Sequence, residues 1–209
     1  EDQPQRSPEK LAVHGDQYAG KSARDKRADV AAWLKDNGYD ATVIAALDSV
    51  AWFFNIRGKD IANTPVPLAY AIVRADETAT LFVAPEKLTD AVREHLGNHV
   101  EIRDYAELAD ALADMQGKTV AVDPERSVAA IFSALDSAGA TVVKERDPTI
   151  LAKAIKNEAE ISGHRAAQKR DGAALTNFCT GWPPKRPRAG RMNCQRPRGC
   201  VSSVRKIRS

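Results

Sequence analysis

The sequence predicts an α/β fold: a mixed β-sheet flanked by helices. Short apolar runs alternate with stretches whose apolar residues recur every three to four positions. Two adjacent apolar runs stand close enough for a hairpin. Glycines follow the ends of most helical stretches, where a left-handed residue closes a helix.

The elements follow in order. Residues 1–20 carry Pro4 and Pro8 and no apolar period, and read as a linker or a cut end. Ser22 can cap a helix, with Asp25 as a weak capping-box partner. Val30, Trp33 and Leu34 form its stripe, and Gly38 ends it. Ala41–Ala46 reads as a buried strand. Leu68–Val73 and Thr80–Val83 are two more strands, with Asp76, Glu77 and Thr78 as the hairpin turn. Leu88, Ala91, Val92 and Leu96 mark a helix ending at Gly97. Val100 and Ile102 lie in a short strand. Asp104 and Glu107 have capping-box spacing before Leu108, Ala111, Leu112 and Met115, and Gly117 ends that helix.

The pattern continues with strand Thr119–Val122. A helix face follows at Val128, Ile131, Phe132 and Leu135, ended by Gly139. Thr141–Val143 is the last strand. Pro148 suits the first turn of another helix, with Asp147 as its cap. Asn157 and Glu160 repeat the capping spacing and open a final helix to about Phe178. No repeat of fixed period is present.

Composition bounds function. The apolar fraction of 43% suffices for a core in a 209-residue chain. No run approaches roughly 18 consecutive apolar residues, so no transmembrane helix is indicated. Glu1–Lys10 lacks the apolar centre of a signal peptide, which points to the cytoplasm. Nine of the 31 Lys and Arg lie in residues 179–209, which hold no Asp or Glu. Residues 1–178 therefore carry 22 basic against 28 acidic groups, a net charge of −6. Cys179, Cys194 and Cys200 also lie in that basic tail.

Searches for chemistry return little. There is no GxGxxG, Walker loop, HExxH or GxSxG. His95 and His99 are four apart, but Gly97 breaks the helix that would align them, so a solvated helix end is the simpler reading. Asp104, Glu107 and Asp110 are explained by capping and a charged outer face. Residues 1–178 offer no converging metal ligands, so neither a catalytic nor a metal-binding residue is assigned.

The informative segment is Leu47-Asp-Ser-Val-Ala-Trp-Phe-Phe-Asn-Ile-Arg-Gly-Lys-Asp60. An aromatic stretch runs straight into Asn55, Arg57, Gly58 and Asp60, and Pro65 and Pro67 then force an extended path. Arg57 beside aromatics can hold a carboxylate through its planar fork, and is the one candidate substrate-binding residue. The alternative is that Arg57 pairs with Asp60 or Asp48 to hold the loop. Trp52 reads as core.

This segment, with Pro65-Val-Pro-Leu-Ala-Tyr70, resembles the second N-terminal domain of three-domain Xaa-Pro aminopeptidases, in the M24 (creatinase-like) peptidases. Lys156-Asn-Glu-Ala-Glu160 through Arg165–Leu175 resembles the junction into the catalytic domain, and His14–Lys26 is similar to the segment that opens the domain. The resemblance spans about residues 11–178. It implies a creatinase/prolidase N-terminal-domain-like fold without the catalytic pita-bread domain. It implies a parent hydrolase, a metallopeptidase that removes the residue preceding proline with two divalent metal ions, expected to be manganese. The ligand motifs of that reaction do not appear here, so this chain alone is expected to be inactive and to hold no cofactor. A homodimer is expected, with peptide substrate only in the parent and no membrane partner. The segment around Trp52–Asp60 favours the aminopeptidase over a prolidase or creatinase.

The expected layout is a linker over residues 1–10 and the domain over 11–156. Residues 157–178 would form the first helix of the missing catalytic domain, with apolar surface exposed at Ile161, Leu175 and Phe178. Residues 179–209 form a Pro-, Arg- and Cys-rich tail. Its abrupt composition fits a shifted reading frame in GC-rich DNA, and it is expected to be disordered. A basic arm binding nucleic acid is the alternative function, disfavoured by the acidic body. A dimerisation module is another. Three cysteines without a histidine match no zinc pattern.

Overall fold

The computed structural model describes residues 7–180. The chain divides into two units between Lys156 and Asn157. In the first, β1 (Ala12–Val13) leads to a single turn, α1 (Asp16–Ala19), and to α2 (Ala23–Asn37). Then come β2 (Ala41–Ile44), α3 (Leu47–Phe53), β3 (Ile56–Arg57), β4 (Tyr70–Arg74) and β5 (Ala79–Phe82). The rest are α4 (Asp90–Leu96), β6 (Val100–Arg103), α5 (Leu108–Ala113), β7 (Thr119–Val122), α6 (Ala129–Ala138), β8 (Thr141–Lys144) and α7 (Thr149–Ala154). The second unit contains α8 (Glu158–Thr180).

Six strands form one sheet in the order β6-β5-β4-β2-β7-β8. β4 runs antiparallel to β2 and β5, while the β2–β7, β7–β8 and β5–β6 pairs are parallel. The sheet is mixed, as the sequence predicts. β1 and β3 form a separate antiparallel pair.

Both sheet faces are covered, so the inner strands are largely apolar, with Thr42 and Thr80 buried among them. On one face, Val30 and Leu34 of α2, Val50 and Phe53 of α3, and Val92 and Leu96 of α4 share a cluster with Ile44, Val73 and Leu81. On the other, Leu112 of α5 and Ile131 and Leu135 of α6 join Val43, Ile72, Phe82 and Val122. β2 leads into α3 on the first face and β7 leads into α6 on the second. The chain therefore changes faces between two neighbouring parallel strands, and the crevice beyond their carboxyl ends is where such sheets place ligands.

Local signals explain most boundaries. The Ser22 hydroxyl accepts from the Asp25 N–H at 3.1 Å, and Gly38 closes α2 at φ 71°. The Asp104–Glu107 capping box forms. The Asp76 carboxylate accepts from the Thr78 N–H in the β4–β5 turn. Asn157 and Glu160 exchange backbone and side-chain hydrogen bonds at 3.0 Å, opening α8.

Several expectations need correction, among them Val128, which precedes α6 and is exposed, and Leu88, which precedes α4. Residues 11–20 are part of the fold: Leu11 is buried, and its N–H donates to the Lys87 carbonyl at 2.8 Å. A two-residue strand and a one-turn helix are too short to show a period. Leu47–Phe53, for which the sequence predicts no element, is a helix; it is buried on most sides and lacks a polar face to reveal it. α5 stops at Ala113, before Met115, which is nonetheless buried. Pro148 precedes the first residue of α7, although the Asp147 carboxylate still accepts from the Thr149 N–H at 2.8 Å. On α8 Leu175 is 61% exposed, whereas Ile161 and Phe178 are partly buried. Expectations about residues 181–209 lie outside the described residues.

Leu81 packs at the centre of the first cluster with no exposed surface. Leu81→Ala should lower unfolding free energy by about 2–5 kcal/mol in urea titrations, through lost burial and an unfilled cavity.

Candidate functional site

The segment 47–60 folds as helix, reversal and strand. After α3, Asn55 adopts φ 51°, a left-handed conformation that Asn tolerates better than most residues. Its side chain repays the strain. The amide Nδ2 donates to the Lys21 carbonyl at 2.9 Å and to Asp16 Oδ1 at 3.3 Å. Its Oδ1 accepts from Lys26 Nζ at 2.6 Å. Lys26 is itself buried, donates to the Trp52 carbonyl at 2.8 Å and lies 3.9 Å from the centroid of the Trp52 ring. One lysine thus ties α2 to the end of α3, partly by cation–π attraction. Trp52 is partly buried against the first core cluster.

Gly58 follows β3. A Cβ there would stand 2.8 Å from the Pro67 backbone, so only glycine lets these two stretches approach. Asp60 then closes the loop. One carboxylate oxygen accepts from the Leu68 N–H at 2.6 Å, and the other pairs with Lys87. Both side chains are almost sealed from solvent, Lys87 at 2% and Asp60 at 1% exposure.

Arg57 is placed differently from the loop-holding alternative. Its Nη1 donates to the carbonyls of Ala51 and Ile56 at 3.1 and 2.9 Å. Asp60 belongs to Lys87, and Asp48, in the first turn of α3, pairs with Lys153 of α7. Partial burial pushes the Asp48 carboxyl up. The hydrogen bond and charge of Lys153, with two backbone N–H groups, outweigh it and hold the group below the usual carboxylate range.

His95 is not a solvated helix end. Its ring is partly buried, with Nε2 at 2.9 Å from the Phe54 carbonyl. His99 is exposed. Asp104 and Glu107 cap a helix start and Asp110 is exposed, as expected.

A groove opens between α2, α3 and α7. Trp33 and Trp52 line it, together with the loop after β8, and its volume is about 370 Å³. Sequence reasoning missed it because its walls come from three distant segments. Among the described residues no three His, Cys, Asp or Glu converge to hold a metal ion, so they do not fit a dinuclear centre. No helix among them is long and apolar enough to cross a membrane.

The mixed sheet with helices on both faces is the architecture of a creatinase/prolidase-like N-terminal domain. The family model for the creatinase/prolidase N-terminal domain matches residues 2–160, and the chain belongs to that family. It is 41% identical over 186 residues to the probable Xaa-Pro aminopeptidase P of Aspergillus clavatus, covering 85% of this chain and 28% of the relative. The corresponding protein of Paracoccidioides brasiliensis is 40% identical over 191 residues, covering 85% and 30%. Among solved structures, the X-prolyl aminopeptidase from Caenorhabditis elegans superposes with a TM-score of 0.78 at 29% identity, covering 86% of this chain and 30% of that one. That protein is described as a cytosolic enzyme with a di-nuclear active site. The Xaa-Pro dipeptidase from Bacillus anthracis, at 16% identity and a TM-score of 0.64, shares the fold. The chain spans less than a third of the length of these aminopeptidases.

Removing one partner of the buried pair leaves an uncompensated charge. Lys87→Met should cost about 3–5 kcal/mol of stability, read by chemical denaturation. The double variant Asp60→Asn, Lys87→Met should recover part of that loss.

Proposed function

We propose that this chain is the non-catalytic N-terminal domain portion of a metallo-aminopeptidase that releases the N-terminal residue preceding proline. The similarity to the fungal Xaa-Pro aminopeptidases P, over most of the chain, carries this reading. In it, residues 11–156 are the accessory domain, and residues 157–178 are the first helix of the catalytic domain. Residues 179–209 are the product of a shifted reading frame. The parent works in the cytosol as a homodimer on peptides. Its two divalent metal ions, manganese in this reading, are held by residues of the parent outside the described ones. The role left to this chain is to shape one wall of the substrate cleft and to contribute dimer contacts. The nucleic-acid alternative rests on the basic tail, outside the described residues, and none of the relatives named above is described as binding nucleic acid.

Arg57 is proposed to reach the substrate in the parent. Its Nη1 braces the end of α3, which sets the guanidinium beside the Asn55 reversal. A bracing role and a substrate role differ in what they disturb.

The purified 209-residue chain, supplied with Mn²⁺, should release no amino acid from an Xaa-Pro peptide. Metal-dependent release would overturn the assignment. In the full-length enzyme, Arg57→Lys should lower kcat/KM roughly tenfold, equivalent to about 1.4 kcal/mol, mainly through KM and with the thermal midpoint nearly unchanged. A fall in thermal stability with unchanged KM would leave Arg57 as a brace only.

A further inference from the structure

A helix on a protein surface ordinarily turns its apolar stripe inward and its charge outward. α7 does the reverse. Its one charged residue, Lys153, pairs with Asp48 of α3 and reaches the Ser49 hydroxyl at 3.4 Å. Thr149 is buried and tied to the Asp147 carboxylate, and Ile150 is partly buried. Leu151, Ala152, Ala154 and Ile155 are all exposed, and at helical spacing they share one arc of about 160°. Leu151 leaves 66% of its surface open and Ile155 68%, the two highest values among the large apolar side chains described. The Ile155 N–H donates to the Leu151 carbonyl at 3.0 Å, so the two stand one turn apart on the same side. The helix is thus held by its polar side, and its apolar side is presented outward as a fixed, contiguous patch.

The position of the patch selects its occupant. The chain leaves the first unit between Lys156 and Asn157, directly after Ile155. The fungal relatives are more than three times as long as the part this chain spans, which is 28% and 30% of their length. Polypeptide that follows in the same molecule is kept close by the chain itself, and that effective concentration makes a small contact sufficient. The seven residues from Thr149 to Ile155 cannot by themselves supply the roughly 800 Å² per partner that a stable interface between separate molecules buries. Charge also bounds the patch. Asp29, Glu145 and Arg146 are exposed around the groove that Leu151 and Ala152 border. A second copy of this chain therefore fits the patch less well than a tethered segment.

We propose that the Leu151–Ile155 face of α7 is the docking surface for polypeptide that follows α8 in the parent, met there by an apolar partner surface. The contact fixes the accessory domain against the rest of the molecule. The proposal rests on the reading that this chain is a portion of a longer protein, but not on what that protein cleaves.

Leu151→Cys puts a thiol on the face without removing a buried contact. In the 209-residue chain a maleimide should label position 151 readily, with peptide mapping separating it from the three native cysteines. In the full-length parent the same position should react about tenfold more slowly or less. A photoreactive residue in place of Leu151 should cross-link, within one molecule, to segments that follow α8. Leu151→Glu in the 209-residue chain should leave its sedimentation unchanged. Equal labelling in the two proteins would overturn the proposal. So would cross-links confined to polypeptide preceding this domain, or to another copy. A dimer of the 209-residue chain that Leu151→Glu dissociates would assign the face to a second copy instead. Protection at position 151 upholds the proposal whether or not the parent cleaves an Xaa-Pro bond, and free labelling overturns it even where the parent does.

Discussion

The buried pair of Asp60 and Lys87 fixes three separate stretches of the chain. Lys87 sits in a short turn between β5 and α4, and Asp60 in the loop between β3 and β4. The Lys87 carbonyl also accepts from the Leu11 N–H, and Asp60 accepts from the Leu68 N–H just before β4. One residue pair therefore locates the entry of the chain, the return into the sheet and the start of the α4 crossover. Hydrophobic burial supplies the free energy of the fold, but it is indifferent to how a long loop crosses the surface. A sealed charge pair is not indifferent, because displacing either partner strands the other in an apolar surround.

The segment 47–60 works on the same principle at smaller scale. α3 is too short to be stable by itself. It is held by Lys26 at its end, by Asp48 and Lys153 at its start, and by core packing of Val50 and Phe53. The left-handed Asn55 then turns the chain so that β3 meets β1, and Gly58 allows the proline-rich stretch to lie close. Each residue in Asn-Ile-Arg-Gly-Lys-Asp thus has a conformational task, with Lys59 reaching Glu9 at the surface. That density of tasks explains why the block is recognisable in the sequence.

Much of the architecture was legible because local and tertiary demands agree. The strands at 41–44, 70–74, 79–82 and 119–122 are mostly apolar, as a sheet covered on both faces requires. The caps at Ser22, Asp104 and Asn157 form as their spacing predicts. What was not legible has a physical reason in each case. α3 shows no amphipathic period because nearly all its sides are buried. β1 is two residues long and exists only through its pairing with Ile56 and Arg57. The partners of Asp48, Asp60 and Arg57 could not be assigned because chain proximity misleads: Asp48 finds Lys153, 105 positions away. The groove was invisible for the same reason, since α2, α3 and the loop after β8 meet only in three dimensions.

The arrangement also bears on how site-like features arise where no three metal-ligating groups converge among the described residues. The reversal of helix placement between β2 and β7 creates a crevice at their carboxyl ends whether or not chemistry is placed there. In this chain the residues leaving β7 and β8 use their carboxylates on the backbone. Asp123 accepts from the Glu125 and Asp147 N–H groups, and Asp147 accepts from Thr149. These bonds draw the two loops together and start α7, which in turn anchors α3 through Lys153. The geometry that another α/β protein gives to a cofactor is here largely consumed in fixing the helix that carries Trp52.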